Sequence, residues 1–373
     1  MTRRWLISMV LGWSAIATAQ KSPQFRSTEI RDDHTVVFRY FDPRASRVDL
    51  VLENRAAWIP MQRDSTGVWS VTTGPLKPEI YGYRFALNGS PRTVHDPQNS
   101  TRRYGNDLLL VPGSPPELWE DAGSPKGKVE RHTYISKAVA GLPGGKNEFV
   151  VYTPPGYDPK AKPYPVLYLL HVWGDQADSW VDFAQANLIL DNLIAQGKVH
   201  PMIAVMPLGY GDMRLVDNYD LGQDPKFVKH NLQLFEQALL TEVMPQVEAA
   251  YNVRRDADGR AILGASMGGQ ESMVVGLNHP ELFAWVGGES AALQTLDLDT
   301  ILAPFLIANR QPRLIWMVCA KDEELLESNR KMAAWLKAHG RPVTLDEPDG
   351  THSYIVWREG LIRFAQKIFP TGG

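Results

Sequence analysis

Residues 264–268 read Gly-Ala-Ser-Met-Gly, a G-x-S-x-G pentapeptide with a serine at its centre. A serine hydroxyl becomes a useful nucleophile when a base takes its proton and an acid orients that base. The pentapeptide by itself is a weak signal, and its surroundings strengthen it. The apolar run Arg260-Ala-Ile-Leu-Gly264 leads straight in, and a helical pattern leaves from Gly268. Two glycines let the chain turn sharply between strand and helix and lift the Ser266 hydroxyl above a sheet edge. The helix start beneath it favours developing negative charge. The alternative is an ordinary strand-to-helix turn in which Ser266 only caps the helix.

Where such a turn carries chemistry, an acid and then a histidine follow the serine along the chain. Three histidines lie downstream of Ser266. His279, in Asn278-His279-Pro280, reads as a helix end. His339, before Gly340, sits in a last helical turn that suits a cation. His352 follows a strand and a loop and precedes the final helix, at the sheet edge where ligand chemistry gathers. It is the base by elimination and position. The acid is expected after the apolar run that begins at Arg313. Asp322 is the first carboxylate past it and is the choice, with Glu323 and Glu324 as competitors.

An oxyanion formed on Ser266 needs two backbone donors. The Met267 N–H is one. The other is expected from the loop His171-Val-Trp-Gly-Asp175 after the first central strand. Metal chemistry has little support. There is no H-E-x-x-H and no cysteine-rich spacing. Asp256-Ala-Asp258-Gly259 starts like a calcium loop, but Met267 occupies the twelfth position where a glutamate belongs, so it reads as a turn. No cofactor motif is present.

The elements that must position these residues fall into two grammars. Residues 20–113 show short alternating runs such as Val48-Asp-Leu-Val-Leu52, separated by turn signals such as Asn88-Gly89. This spacing predicts a small all-β, immunoglobulin-like sandwich. Residues 114–128 are rich in Pro, Gly and Ser and read as a linker. From 129 to 373 strands alternate with helices. Strands are expected at 148–153, 165–170, 202–206, 260–264, 313–318 and 343–346, and helices at 188–195, 232–251, from 268, 328–339 and 355–369. That is an α/β fold with a mostly parallel sheet.

Composition narrows the classes further. The chain has 373 residues with a net charge of −3, which disfavours nucleic acid as a partner. Its single cysteine, Cys319, cannot form an internal disulfide and reads as a small buried residue. Residues 1–19 carry Arg3-Arg4, an apolar stretch from Trp5 to Ile16 and Ala17-Thr-Ala19. They predict an export signal and a secreted or periplasmic protein that is not held in a membrane once the signal is removed.

Residues 129–370 resemble the esterase D / carbohydrate esterase family 1 group. The resemblance is carried by Val-Tyr-Thr-Pro-Pro-Gly-Tyr (151–157), Tyr-Pro-Val-Leu-Tyr-Leu-Leu-His (164–171), Leu-Asp-Asn-Leu-Ile-Ala-Gln-Gly-Lys (190–198), Gly-Ala-Ser-Met-Gly-Gly-Gln (264–270) and Gly-Thr-His-Ser-Tyr-Ile-Val-Trp-Arg (350–358). It implies an α/β-hydrolase fold, a serine esterase mechanism with Ser266, Asp322 and His352, and no cofactor. The implied substrate is a small ester or an esterified polysaccharide, most readily a feruloyl or acetyl ester on plant polysaccharide. Siderophore esterases and acyltransferases share the pattern, and a non-catalytic glycan-binding protein is the reading from another class. The family has His-Gly where this chain has His171-Val172. Trp173 then stands where the family places its second oxyanion donor. A valine cannot take glycine's backbone angles, so the loop is either ordinary in conformation or shifted. Trp173 and Trp180 are candidate pocket walls, with a core role the other reading of Trp180, and Gln270 is a further candidate substrate contact. The N-terminal stretch, with Gly67-Val-Trp, Pro78-Glu-Ile-Tyr-Gly-Tyr-Arg-Phe and His95-Asp-Pro, resembles E-set or CBM48 modules. These either bind glycans or buttress the catalytic domain.

Overall fold

A computed structural model describes residues 23–370 apart from Ala56 and Tyr104. The expected export signal at residues 1–19 lies outside the described residues. No helix among the described residues is long and apolar enough to cross a membrane.

The N-terminal part is built from two sheets. One is ordered Thr28–Ile30, Val36–Phe41, Val68–Thr72, Gln62–Arg63, and the other Ile59–Pro60, Val48–Leu52, Glu79–Leu87, Asn106–Val111, Arg102–Arg103. Alternate residues face inward, so Phe38, Leu50, Trp69, Tyr83 and Phe85 meet in one core. The segment read as a linker is laid down rather than free. Trp119 is buried, and Asn192 Nδ2 donates to the carbonyls of Leu118 and Glu120.

The remainder is one eight-stranded sheet. Its strands are β1 (Lys128–Ile135), β2 (Lys146–Thr153), β3 (Val166–Leu170), β4 (Ile203–Pro207), β5 (Arg260–Ala265), β6 (Trp285–Glu289), β7 (Leu314–Val318) and β8 (Thr344–Asp346). They are ordered β1-β2-β4-β3-β5-β6-β7-β8. The β1–β2 and β2–β4 pairs are antiparallel, and every pair from β4–β3 onward is parallel. The principal helices are α1 (Ala186–Ala195), α2 (Pro225–Ala238), α3 (Met267–Asn278), α4 (Leu326–Ala338) and α5 (Tyr354–Ala365).

The central strands β3 to β7 are almost wholly buried because both faces of the sheet are covered there. Leu167 and Leu169 of β3 pack toward α1 and α5, with Ile189, Leu193, Leu361 and Phe364. Val166, Tyr168 and Leu170 pack toward α2, α3 and α4, with Phe235, Met273 and Leu336. Each fully buried side chain of this size contributes roughly 1.5–3 kcal/mol. The sheet and its two helical layers form an α/β-hydrolase domain preceded by an all-β module.

Three features depart from the sequence reading. The helix expected from 232 begins at Pro225, where Asp224 caps the Lys226 N–H, and runs on through a π-helical stretch at Leu239–Val243. The edge strand β1 was not expected, because its alternation is mostly polar and half-exposed. Strand β6 was also unexpected, because two glycines interrupt the apolar run of Trp-Val-Gly-Gly-Glu. Its glycines answer to packing: a Cβ on Gly287 would stand 2.6 Å from Leu263 Cδ1 and 2.7 Å from the Phe364 ring.

Candidate active site

Strand β5 delivers the chain into Ser266 at φ 53° and ψ −113°, outside the comfortable regions for a side-chain-bearing residue. Backbone bonds hold that conformation from both sides. The Ser266 N–H donates to Glu289 O at 2.8 Å, and its carbonyl accepts from Ala292 N–H and Gln270 N–H, each at 3.0 Å. The turn is also sterically locked. A Cβ on Gly268 would lie 2.5 Å from His171 O and 2.7 Å from Leu170 O, so only glycine lets α3 start this close to β3. The Ser266 side chain makes no capping bond to α3. Its Oγ lies 3.0 Å from His352 Nε2 instead.

His352 Nδ1 lies 3.0 Å from Glu323 Oε2. An ionised carboxylate only accepts, so Nδ1 carries the hydrogen and Nε2 is free to receive one from Ser266. Asp322 does not take the acid's place. It is exposed on the loop after β7, and its contribution is its backbone N–H, which donates to Gly350 O at 3.1 Å. The chain turns back after Ala320, so the next carboxylate, Glu323, points in over the strand end. There its Oε1 accepts from Ala320 N–H at 3.0 Å and from Ser290 Oγ at 2.8 Å. Glu324 is exposed at the cleft rim. Burial alone would raise the Glu323 carboxyl, but the bonds from His352, Ser290 and Ala320 outweigh it and hold it below the usual glutamate range.

The histidine ring is fixed from a third side. Trp357 meets it edge-on at 4.8 Å between centroids, and its Nε1 donates to Ser290 Oγ at 3.0 Å. Cys319 is buried as expected, with its Sγ 3.6 Å from Glu323 Oε2, and burial pushes the thiol far above its ordinary range. His279 and His339 both close helices, α3 and α4. His279 lies between Glu236 and Glu281, whose hydrogen bonds raise its pKa against burial.

The loop after β3 keeps Val172 out of the left-handed region, and the sharp turn falls two residues later at Gly174, φ +84°. His171 anchors it. Its Nδ1–H donates to Val172 O at 2.8 Å, and its Nε2 accepts from Gly209 N–H at 2.8 Å. Burial pushes its pKa down to about 4, so it is a neutral structural residue. The Met267 N–H is the first of the α3 first-turn donors, which have no partner within the helix.

Ser266 and His352 open into a cleft of about 250 Å³. Trp173 forms one wall, 37% exposed, with its Nε1 donating to Leu215 O and its ring edge-on to Tyr219. Gln270 reaches the cleft, but its side-chain amide donates to Ala292 O. Trp180 is not a wall. It is fully buried beneath, packed on Tyr354, and donates to Leu170 O at 2.9 Å. Among the described residues no cluster of three or more His, Cys, Asp or Glu could hold a metal. Tyr219, Trp357 and Ser290 were not singled out from sequence. They lie far apart along the chain, and only the loop paths gather them.

Residues 141–368 match the family model described as putative esterase, and residues 25–98 match carbohydrate-binding module 48 (isoamylase N-terminal domain). An endo-1,4-beta-xylanase/feruloyl esterase of Xylanibacter ruminicola is 30% identical over 88% of this chain, which spans 43% of that protein's length. An iron(III) enterobactin esterase of Escherichia coli is 23% identical over 82% of this chain and 74% of its own. Two solved structures share the fold. A CE1 ferulic acid esterase from Anaeromyces mucronatus has a TM-score of 0.58 at 22% identity, covering 67% of this chain and 93% of its own. The enterobactin esterase from Shigella flexneri has a TM-score of 0.66 at 19% identity, covering 91% of this chain and 94% of its own.

Proposed function

The chain belongs to the putative esterase family of carboxylic ester hydrolases, and we propose that it cleaves hydroxycinnamoyl esters of plant polysaccharide through Ser266, His352 and Glu323. The observation that carries this reading is the His352 ring, 3.0 Å from a serine hydroxyl on one side and 3.0 Å from a buried carboxylate on the other. Ser266 Oγ attacks the ester carbonyl as its proton passes to His352 Nε2. Glu323 stays ionised and stabilises the imidazolium. The Met267 and Trp173 N–H groups hold the tetrahedral oxyanion. His352 then returns the proton to the departing alkoxide, and water repeats the sequence on the acyl-enzyme.

The cleft supports an aromatic acyl group over acetyl. Its walls are Trp173, Tyr219 and Trp357, its floor includes Leu215 and Val228, and an acetyl group would leave most of its volume unfilled. Among the described residues no Lys or Arg lines it, which disfavours a polyanionic ferric siderophore. Residues 1–19 support export, as a periplasmic or secreted enzyme meeting polysaccharide would need.

The test is hydrolysis of methyl ferulate, methyl acetate and a catecholate siderophore ester by the wild type, with Ser266→Ala as control, the two methyl esters sharing one leaving group. Methyl ferulate should give the highest kcat/KM, and Trp173→Ala should raise its KM about tenfold while leaving acetate little changed. Equal kcat/KM for ferulate and acetate would overturn the aromatic assignment.

A further inference from the structure

The loop that carries His352 is bedded on the N-terminal module. After strand Val48–Leu52 of the sandwich, the chain turns at Glu53 and Asn54. Asn54 Oδ1 accepts from the Thr351 N–H at 2.9 Å and from Thr351 Oγ1 at 3.4 Å. Glu53 Oε1 accepts from the Tyr354 N–H at 2.9 Å, while its Oε2 accepts from Gly82 N–H of the sandwich at 2.6 Å. The two side chains thus take the backbone donors immediately before and two residues after His352. Asn54 holds a left-handed conformation, φ 59°, which asparagine tolerates better than most residues.

The contact continues into α5. Ile355 packs against the sandwich core. Arg358 is fully buried, donates to Ile80 O at 2.6 Å and pairs with Glu79 at 2.7 Å. Tyr354 in turn donates from its hydroxyl to Asp175 at the end of the Val172–Trp173 loop, at 2.5 Å. The histidine side of the site therefore rests on the module's frame, whereas the backbone bonds that hold Ser266 run to Glu289, Ala292 and Gln270 of the α/β domain.

We propose that Glu53 and Asn54 are positioning residues for His352, so that the N-terminal module is part of the catalytic apparatus and not only a tether for glycan. The inference rests on the esterase reading above. A free Thr351 N–H lets the loop drift, and misplacement by about 1 Å is enough to cost roughly 10²-fold in rate.

The test is steady-state hydrolysis of methyl ferulate by the full-length chain. Asn54→Gly removes the acceptor and keeps the left-handed backbone comfortable, and Asn54→Asp keeps the acceptor. Asn54→Gly should lose about tenfold or more in kcat, with KM within twofold, and Asn54→Asp should recover most of that loss. Thermal unfolding is followed alongside. If Asn54→Gly does not fold, Glu53→Ala, which frees the Tyr354 N–H, is measured in the same way. Unchanged kcat in an active wild-type background, or a loss that Asn54→Asp shares in proportion to lowered thermal stability, overturns the positioning role alone. An inactive wild type overturns the esterase reading with it.

Discussion

The serine turn and the histidine loop meet across 3.0 Å, yet they are held by different kinds of structure. Ser266 is fixed by neighbours in its own strand–turn–helix unit and in β3 and β6, with glycines at 264 and 268 making the close approach possible. His352 sits on a loop with little structure of its own. It is held by Asn54 and Glu53 from the module, by Trp357 from α5, and by Glu323 from the loop after β7. Lys321 and Asp322 N–H groups bond to Pro348 O and Gly350 O and zip the acid and histidine loops together. One half of the site is thus written in a contiguous motif, and the other is assembled from parts remote in sequence.

The largest test of this contrast is Ser266→Ala, which should reduce kcat by about 10⁴–10⁶-fold with the fold intact, read by hydrolysis of methyl ferulate and circular dichroism. Next is the choice between adjacent carboxylates. Glu323→Ala should lose about 10³–10⁴-fold in kcat, while Asp322→Ala stays within about threefold because its backbone bond survives the change. The reverse ranking would return the acid's role to Asp322 and break the loop description.

A stability change should mark the serine side. Gly268→Ala forces a Cβ against the His171 and Leu170 carbonyl oxygens and should cost about 3 kcal/mol in urea denaturation. The smallest effect concerns Glu271, one turn into α3. Its carboxyl is fully buried with neither oxygen hydrogen-bonded, and burial holds its pKa well above the usual range. An unfolded glutamate ionises above pH of about 4.3, so between that value and the raised folded value the folded state keeps a proton the unfolded state lacks. Stability from this group is full below that window and falls as pH rises through it. Glu271→Gln has no proton to lose. Its stability relative to wild type should therefore rise by about 1 kcal/mol or more between pH 4.5 and 7.5. A flat difference would mean that Glu271 is ionised in the fold.

The contrast also explains which parts were legible from sequence. The strand–serine–helix unit was readable because apolar run, glycines and helix follow one another within a dozen residues. His352 was readable by chain order and position before the last helix. The carboxylate that meets His352 was not, because Asp322, Glu323 and Glu324 are chemically near-equivalent in sequence, and a single turn at Ala320 selects the one that points inward. Strand β6 was hidden because its glycines serve Phe364 and Met273 packing and look like turn residues. Trp180 could not be separated from Trp173 by type. Its depth beneath Leu170 makes it core, whereas Trp173 sits on the loop above.

The amino-acid order determined the two-part layout, the alternation that makes a covered sheet, and the strand–serine–helix turn with its glycines, since each depends on periodicity or on bonds between near neighbours. Only the tertiary structure decided which carboxylate meets His352, which tryptophan faces the cleft, and that a turn of the β-sandwich grips the histidine loop. Those outcomes depend on side-chain direction and on contacts between segments as many as 301 residues apart, which no local pattern encodes.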